Sequence, residues 1–194
     1  MQKYAFIFIG RSGCGKGTQA KLLIDAIKSK HEESVYYVST GDEFRKMLDG
    51  GTYMSALLKG IIGRGGFAPS FAAVLMWASA IFRNLKEKEH LLIDGTPRSI
   101  AEASVLDSVF PFFDATPIVI YINVSREWAT SRLLDRGRHD DTEAGISSRQ
   151  NLFESDIIPI LELYKKRNHP KILDINGEQH IDDVHKEIKK ALDL

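Results

Sequence analysis

The sequence predicts an open α/β fold, a central parallel five-stranded sheet with helices on both faces. Three observations point to it. Five short runs rich in β-branched and aromatic residues (Tyr4–Ile9, Val35–Val38, Leu91–Ile93, Ile118–Val124 and Lys171–Ile175) are continuously apolar rather than alternating, as in strands buried on both faces. Helical patterns lie between them, at Thr18–Lys30, Asp42–Leu48, Tyr53–Ile62, Ser70–Lys86, Ile100–Val109, Arg126–Asp135, Ser147–Arg167 and Ile181–Leu192. A glycine-rich turn follows the first apolar run directly, and in such folds ligands sit beyond the carboxyl ends of the strands.

That turn, Gly10-Arg11-Ser12-Gly13-Cys14-Gly15-Lys16-Gly17-Thr18, has the composition of a phosphate loop. Phosphates need closely spaced backbone N–H donors without side chains in the way, and glycines at 10, 13, 15 and 17 allow that approach. Lys16 adds a movable cation, and the helix N-terminus adds favourable partial charge. The competing reading is a glycine-rich turn with a solvated lysine, but a strand before the loop and an amphipathic helix after it favour phosphate binding. The fold class is therefore a P-loop NTPase-type three-layer fold. The hydroxyl that normally follows the lysine comes one place late, at Thr18, after Gly17.

The bulk properties set limits on function. The chain has 194 residues, enough for one substantial core and too few for two ordinary domains. Lysine plus arginine (26) equals aspartate plus glutamate (26), so no overall field draws nucleic acid or an anionic membrane, and neither is expected as a partner. The apolar run Tyr4–Ile9 is too short to span a bilayer, and no secretory leader pattern is present, so the expected location is cytoplasmic. The single cysteine excludes an internal disulfide and a multi-cysteine zinc site. Cys14, near a helix N-terminus, sits where thiolate is favoured. A small residue filling a tight loop is the plainer reading than redox control.

Two stretches break the strand–helix alternation. Several helical patterns follow one another between Val38 and Leu91, interrupted by Gly63, Gly65, Gly66 and Pro69. A polar, charged stretch runs from Arg136 to Gly145. The expected organisation is a single domain over 1–194: a core at 1–38, 88–135 and 146–194, a helical insertion at 39–87, and a short lid loop at 136–145. Trp77 and Phe71 fit helical packing. The histidines lack metal-ligand spacing on a helix face, and His139 reads as a solvated lid residue.

Two more blocks close strands and open helices: Ser39-Thr40-Gly41-Asp42-Glu43-Phe44-Arg45, and Leu91-Leu92-Ile93-Asp94-Gly95-Thr96-Pro97-Arg98. Taken alone, Asp94 reads as a turn residue or helix cap. Beside a phosphate loop it reads as a carboxylate that holds Mg²⁺ through water. With Gly65-Gly66-Phe67-Ala68-Pro69, the run Arg132 to Asp141, Arg149 and Asn176-Gly177, these blocks resemble in order the motifs of the adenylate kinase family of nucleoside monophosphate kinases. The late hydroxyl of Thr18, followed by Gln19, is that family's own pattern.

The resemblance implies transfer of the γ-phosphoryl group of ATP, or another nucleoside triphosphate, to AMP or another nucleoside monophosphate, with Mg²⁺ as cofactor. It implies a donor site of Gly13, Cys14, Gly15, Lys16, Gly17, Thr18 and Arg136. The implied acceptor site comprises Thr40, Gly41, Arg45, Phe67, Ala68, Gly95, Arg98 and Glu102. Lys16, Arg98, Arg136, Arg138 and Arg149 would carry catalysis, Asp94 the metal, and Asp140 and Asp141 would hold the lid arginines. Such chemistry requires in-line positioning, charge neutralisation and exclusion of water, which guanidinium forks suit. Arg132 is as readily a solvated charge. A monomer is the default, with a small homo-oligomer left open.

The chain departs from the family pattern at several points. Ser12 stands where proline is usual, and the lid is short and lacks cysteine. Thr96 replaces phenylalanine, which removes an apolar contact near the acceptor. Glu102 replaces glutamine: a carboxylate only accepts hydrogen bonds, which suits guanine's paired donors better than adenine's mixed edge. AMP remains the first acceptor, with relaxed or GMP, UMP or CMP-type specificity as the alternative. A P-loop hydrolase or switch would need a base-selective motif such as Asn-Lys-x-Asp, which is absent. A catalytically silent nucleotide-binding module is the remaining reading.

Overall fold

Strand β1 (Lys3–Ile9) sends Ala5, Ile7 and Ile9 into one apolar core and Phe6 and Phe8 into another, so both faces of the sheet are covered. The structure is a computed structural model that describes residues 2–31, 34–137 and 141–194. In chain order its elements are β1, α1 (Lys16–His31), β2 (Ser34–Ser39), α2 (Thr40–Leu48), α3 (Tyr53–Ile62), α4 (Ser70–Asn84), β3 (Glu89–Asp94), α5 (Ile100–Phe113), β4 (Ala115–Asn123), α6 (Arg126–Arg136), α7 (Glu143–Leu152), a π-helical turn (Phe153–Ile157), α8 (Ile158–Arg167), β5 (Lys171–Asn176) and α9 (Ile181–Ala191).

The strands pair in the order β2-β3-β1-β4-β5, every pair parallel. The chain leaves central β1 for the edge strand β2, returns to β3, and crosses to β4 on the other side. The glycine loop after β1 thus lies where strand order reverses, the usual ligand crevice of such sheets. Ser39 and Asp94, in register at the ends of β2 and β3, open beside it.

One core packs Trp77 and Ala80 of α4, Ala103, Leu106 and Phe110 of α5, and Ile160, Leu161 and Tyr164 of α8 on the sheet. The other packs Ala20, Leu23 and Ile27 of α1 and Val184 and Ile188 of α9 on the opposite face. The spacings 20/23/27 and 184/188 are those of a single helical stripe. A third, small core of Phe44, Leu58, Ala72 and Ala73 joins α2, α3 and α4. The helical insertion therefore has packing of its own, while α4 also anchors it to the sheet.

The structure departs from the sequence-derived elements in three instructive places. Strand β4 starts at Ala115 and includes Pro117, because β5 pairs only from Ile118 onward and the missing N–H deprives no partner. Helix α5 runs through Pro111 to Phe113, where Asp114 in a left-handed conformation caps it and Phe110 is buried against the sheet. The single helix expected at Ser147–Arg167 begins at Glu143 and is divided by the π turn. Phe71 is also misread by helical packing. It is 62% exposed, whereas Trp77 on the same helix is 1% exposed. Among the described residues, no helix is long and apolar enough to cross a membrane.

Trp77 joins the insertion to the sheet core, so Trp77→Ala leaves the largest cavity available there. The expected loss is about 3–5 kcal/mol of unfolding free energy, measured by chemical denaturation.

Candidate active site

The glycine loop is built before any ligand is considered. Gly13 has φ +93°, and a Cβ there would lie 2.6 Å from the Ala129 carbonyl oxygen and 2.9 Å from Leu133, so helix α6 leaves room only for glycine. The Lys16 ammonium donates to the carbonyls of Gly10 (2.8 Å) and Arg11 (3.0 Å). Helix α1 begins at Lys16, and the Thr18 and Gln19 amides both donate to the Gly15 carbonyl (3.0 Å each). Thr18 and Gly15 are exposed at the mouth, while Gly13, Lys16 and Gly17 are partly buried.

Cys14 behaves differently from the rest of the loop. Its side chain belongs to the core beneath, its N–H donates to the Arg11 carbonyl (3.1 Å), and burial pushes its thiol pKa up despite the opposing pull of Lys16. The thiolate-favouring setting read from the sequence is therefore corrected: desolvation outweighs the cation.

The residues expected on the acceptor side converge from three segments. A Cβ on Gly95 would lie 3.2 Å from the Arg98 Nη2, 3.9 Å from the Thr40 Cβ and 4.0 Å from the Gly41 amide. Gly41 in turn faces the Arg45 guanidinium, at 3.4 Å from a Cβ built on it. Arg98 is fixed: its Nε donates to the Gly95 carbonyl (2.8 Å), and its guanidinium lies 4.8 Å from the Phe67 ring centroid. Arg45 is free by comparison, with a side chain 58% exposed and paired to Asp42 one turn away. Thr40 is buried, and its hydroxyl has no hydrogen-bond partner. Ala68, next to Phe67, packs on the small core of the insertion.

Asp141 holds two of the arginines expected in the lid. Asp141, whose side chain is fully buried, accepts from Arg136 Nε and Nη2 (both 2.8 Å) and from Arg149 Nη2 (2.7 Å). Arg149 Nε also donates to the Gly145 carbonyl (3.2 Å). Arg138, His139 and Asp140 lie outside the described residues. The first turn of α7 presses against the insertion at Gly65. That residue has φ +77°, and a Cβ on it would stand 2.5 Å from the Gly145 carbonyl oxygen. Ser148 donates to the Gly65 carbonyl at 3.4 Å.

Electrostatically these pieces form one site. Burial lowers the Arg98 pKa first, Glu102 and Asp94 oppose that, and Arg149 and Arg45 lower it further by repulsion. Cations from the insertion, the β3–α5 turn and α7 thus lie within range of one another. Guanidinium remains protonated throughout, so the result is concentrated positive charge.

Asp94 closes the side nearest the phosphate loop. Its Oδ2 accepts from the Tyr37 hydroxyl (3.4 Å) and lies 3.8 Å from a Cβ built on Gly17, while its Oδ1 is buried without a partner. Burial and this carboxylate push the Tyr37 phenol pKa up. An orphaned carboxylate oxygen beside the loop suits a hard cation. Among the described residues, no group of three or more His, Cys, Asp or Glu could hold a metal, so most ligands of such a cation would come from phosphate and water.

The family model described as adenylate kinase matches residues 8–169. An adenylate kinase from Prochlorococcus marinus is 32% identical over 191 residues, covering 98% of this chain and 99% of that protein. One from Campylobacter concisus is 32% identical over 193 residues (98% and 97%), and one from Corynebacterium urealyticum is 31% identical over 188 (96% and 98%). The chain belongs to the adenylate kinase family. It is a nucleoside monophosphate kinase, a phosphotransferase whose acceptor is a phosphate group.

Against the family pattern, the structure gives Glu102 and Thr96 contacts that the sequence did not foresee, and it adds Arg11. Glu102 is 1% exposed, and its Oε2 accepts from the Thr96 hydroxyl (2.8 Å) and the Arg98 amide (3.1 Å). Its own amide donates to the hydroxyl of Ser99, the N-cap of α5 (3.1 Å). A signal for this was present: Ser99-x-x-Glu102 is a capping-box spacing. Thr96, read as a lost apolar contact, is a hydrogen-bond donor. Arg11 had no such signal. Its guanidinium leaves the loop for α7 and the π turn, meeting Gln150 Oε1 (3.3 Å), Glu154 Oε1 (3.0 Å) and the Phe153 ring (4.6 Å to its centroid). Gln150 also donates to the Ser12 carbonyl (3.3 Å).

These contacts hold the loop where the family's usual proline is missing. Arg11→Ala should therefore weaken triphosphate binding by about tenfold, the scale of one charge-assisted hydrogen bond. Calorimetry should show monophosphate affinity changing by less than about twofold.

Proposed function

We propose that the chain catalyses reversible transfer of the γ-phosphoryl group from ATP to AMP, giving two ADP, with Mg²⁺ as cofactor. The observation that carries this reading is the mutual placement of Arg45, Arg98 and Arg149 beside a glycine loop that ends in Lys16. Read so, the glycine loop serves the donor phosphates and the arginine cluster the acceptor, as a chain of phosphates between two nucleosides requires.

In this reading, the loop from Gly13 to Thr18 cradles the donor phosphates, and Lys16 leaves its loop carbonyls to follow the transferred group. Cys14 contributes only from the backbone side, since its thiol is in the core. Arg98 and Arg45 grip the acceptor phosphate, with Thr40, Gly41, Phe67, Ala68 and Gly95 lining its site. Arg136 and Arg149, presented by Asp141, close over the charge that develops in transfer and exclude water, with Arg138 from the same lid. Asp94 and the Thr18 hydroxyl would hold Mg²⁺, largely through water, and the ion would neutralise charge on the β- and γ-phosphates when bound. No general base is needed, because the acceptor is already an oxyanion.

Glu102 supplies no argument for GMP over AMP, because its side chain is buried. A free carboxylate would suit guanine's two adjacent donors, but Oε2 is committed to Thr96 and Arg98. A soluble, cytoplasmic monomer is part of the same proposal.

The deciding experiment mixes ATP, Mg²⁺ and AMP and follows ADP. Two ADP per ATP consumed and no free phosphate is the expected result. Free phosphate without ADP gain from AMP would establish a hydrolase, and no turnover would establish a binding module. Two adenosines joined by five phosphates should bind at least about 10²-fold more tightly than ATP, as linked ligands do when both sites are engaged. Lys16→Met should abolish turnover with the cooperative melting transition retained. Arg98→Ala should raise KM for AMP far more than KM for ATP.

A further inference from the structure

We propose that Thr96 and Glu102 form a clamp that sets the position of Arg98, so that acceptor-phosphate binding depends on a hydroxyl–carboxylate hydrogen bond outside the phosphate contact itself. The inference rests on the reading of Arg98 as an acceptor-phosphate ligand. It assigns to two departures from the family pattern a single, joint role.

The geometry is closed on itself. Thr96 Oγ1 donates to Glu102 Oε2 at 2.8 Å, and the Arg98 amide donates to the same oxygen at 3.1 Å. The Ser99 hydroxyl accepts the Glu102 amide at 3.1 Å, which fixes the first turn of α5 beneath the turn. The Arg98 Nε reaches back to the Gly95 carbonyl at 2.8 Å, so turn residues 95–98 are fixed at both ends. Thr96 and Glu102 are both buried, each 1% exposed. Water therefore offers little substitute if either partner is removed.

A carboxylate at 102 needs more than one donor to be tolerated inside the protein, since burial disfavours its charged form. Threonine at 96 supplies the second donor where phenylalanine would supply none. Thr96 and Glu102 thus fit each other as a pair, and their joint effect falls on the amide of Arg98. The Ser70 and Ser99 hydroxyls lie 2.8 Å apart and tie the N-terminus of α4 to the same cap, so the insertion shares this anchor. Thr96 and Glu102 are positioning residues here. The group that meets phosphate is Arg98.

The test is a steady-state comparison of the full chain with Thr96→Val, Thr96→Ser, Arg98→Ala and the Thr96→Val/Arg98→Ala double variant. Thr96→Val keeps the shape and removes the donor. It should raise KM for AMP by about tenfold, the scale of one lost hydrogen bond to a charged group, with KM for ATP within about twofold. Thr96→Ser should restore KM for AMP to within about threefold, because its hydroxyl donates equally. In the double variant, Thr96→Val should add nothing to the Arg98→Ala effect on KM for AMP, since the clamp acts through that arginine. A merely structural Thr96 would give additive effects and equal changes in both KM values, and that outcome overturns the clamp. KM for AMP unchanged in Thr96→Val overturns it as well.

If Arg98→Ala itself leaves KM for AMP unaltered, the acceptor-site reading falls, and the clamp falls with it. If Arg98→Ala acts and Thr96→Val does not, the clamp alone is wrong. Should Thr96→Val not fold, Glu102→Gln and Glu102→Met decide the matter. Gln retains an oxygen for both donors and should hold KM for AMP within about threefold, and Met, of similar length and without an acceptor, should match the tenfold rise. Equal KM values for Gln and Met would overturn the clamp.

Discussion

Gathering positive charge at one place is the constraint to which the rest of this structure answers. Like charges brought together repel, and burial removes the water that would screen them. The chain solves this with a carboxylate for nearly every arginine near the site. Arg136 and Arg149 share Asp141, Arg11 has Glu154, and Arg45 has Asp42. Arg98, whose pKa is lowered chiefly by burial, has Glu102 and Asp94 in range to oppose that. The equal totals of acidic and basic residues are consistent with this local pairing, which offsets each cation at the crevice where it stands.

The scaffold determines how firmly each charge is held. The loop after β1 and the turn after β3 leave adjacent strands, so Lys16, Asp94 and Arg98 inherit the rigidity of the sheet. The insertion carries Arg45 on a helix with only a small core of its own. Helix α7 touches three parts of the site: Asp141 through Arg149, the insertion through Ser148, and the phosphate loop through Gln150. The π turn that follows α7 carries Phe153 and Glu154 to Arg11. Irregular helical turns of this kind recur at functional sites because they redirect side chains without ending the helix. Here the redirected side chains brace a loop that has serine at position 12 instead of the family's usual proline.

How much of this was legible in the sequence varied with the kind of signal. Buried parallel strands are read well because burial on both faces leaves a continuous apolar run, and the phosphate loop is read well because its glycines are dictated by geometry. The ends of β4 and α5 were hidden by Pro117 and Pro111, where partner register and the burial of Phe110 outweighed the local cost of proline. Phe71 was misread because spacing reveals a stripe without revealing whether anything covers it. Cys14 was misread because helix position was weighed without burial. The Thr96–Glu102 bond joins two positions that each look like an isolated departure, and the Ser99-x-x-Glu102 spacing alone hinted at it. The Arg11 contacts depend on residues 139 and 143 positions away in sequence, which no local pattern encodes.

The unequal burial of the arginines also bears on the order of events during turnover. An exposed ion pair such as Arg45–Asp42 contributes about 0–1 kcal/mol, so exchanging Asp42 for a phosphate costs little. The pairs at Asp141 are different, because its side chain is fully buried and breaking a buried ion pair costs more than breaking an exposed one. Arg136 and Arg149 are therefore held in place by Asp141 before any ligand arrives. Under the proposed function, Arg45 is the loosely held cation of the acceptor side and the Asp141 pair is a preformed surface. Electrostatic stabilisation of a transition state is most effective when its donors are oriented in advance. The burial of Asp141 supplies that orientation.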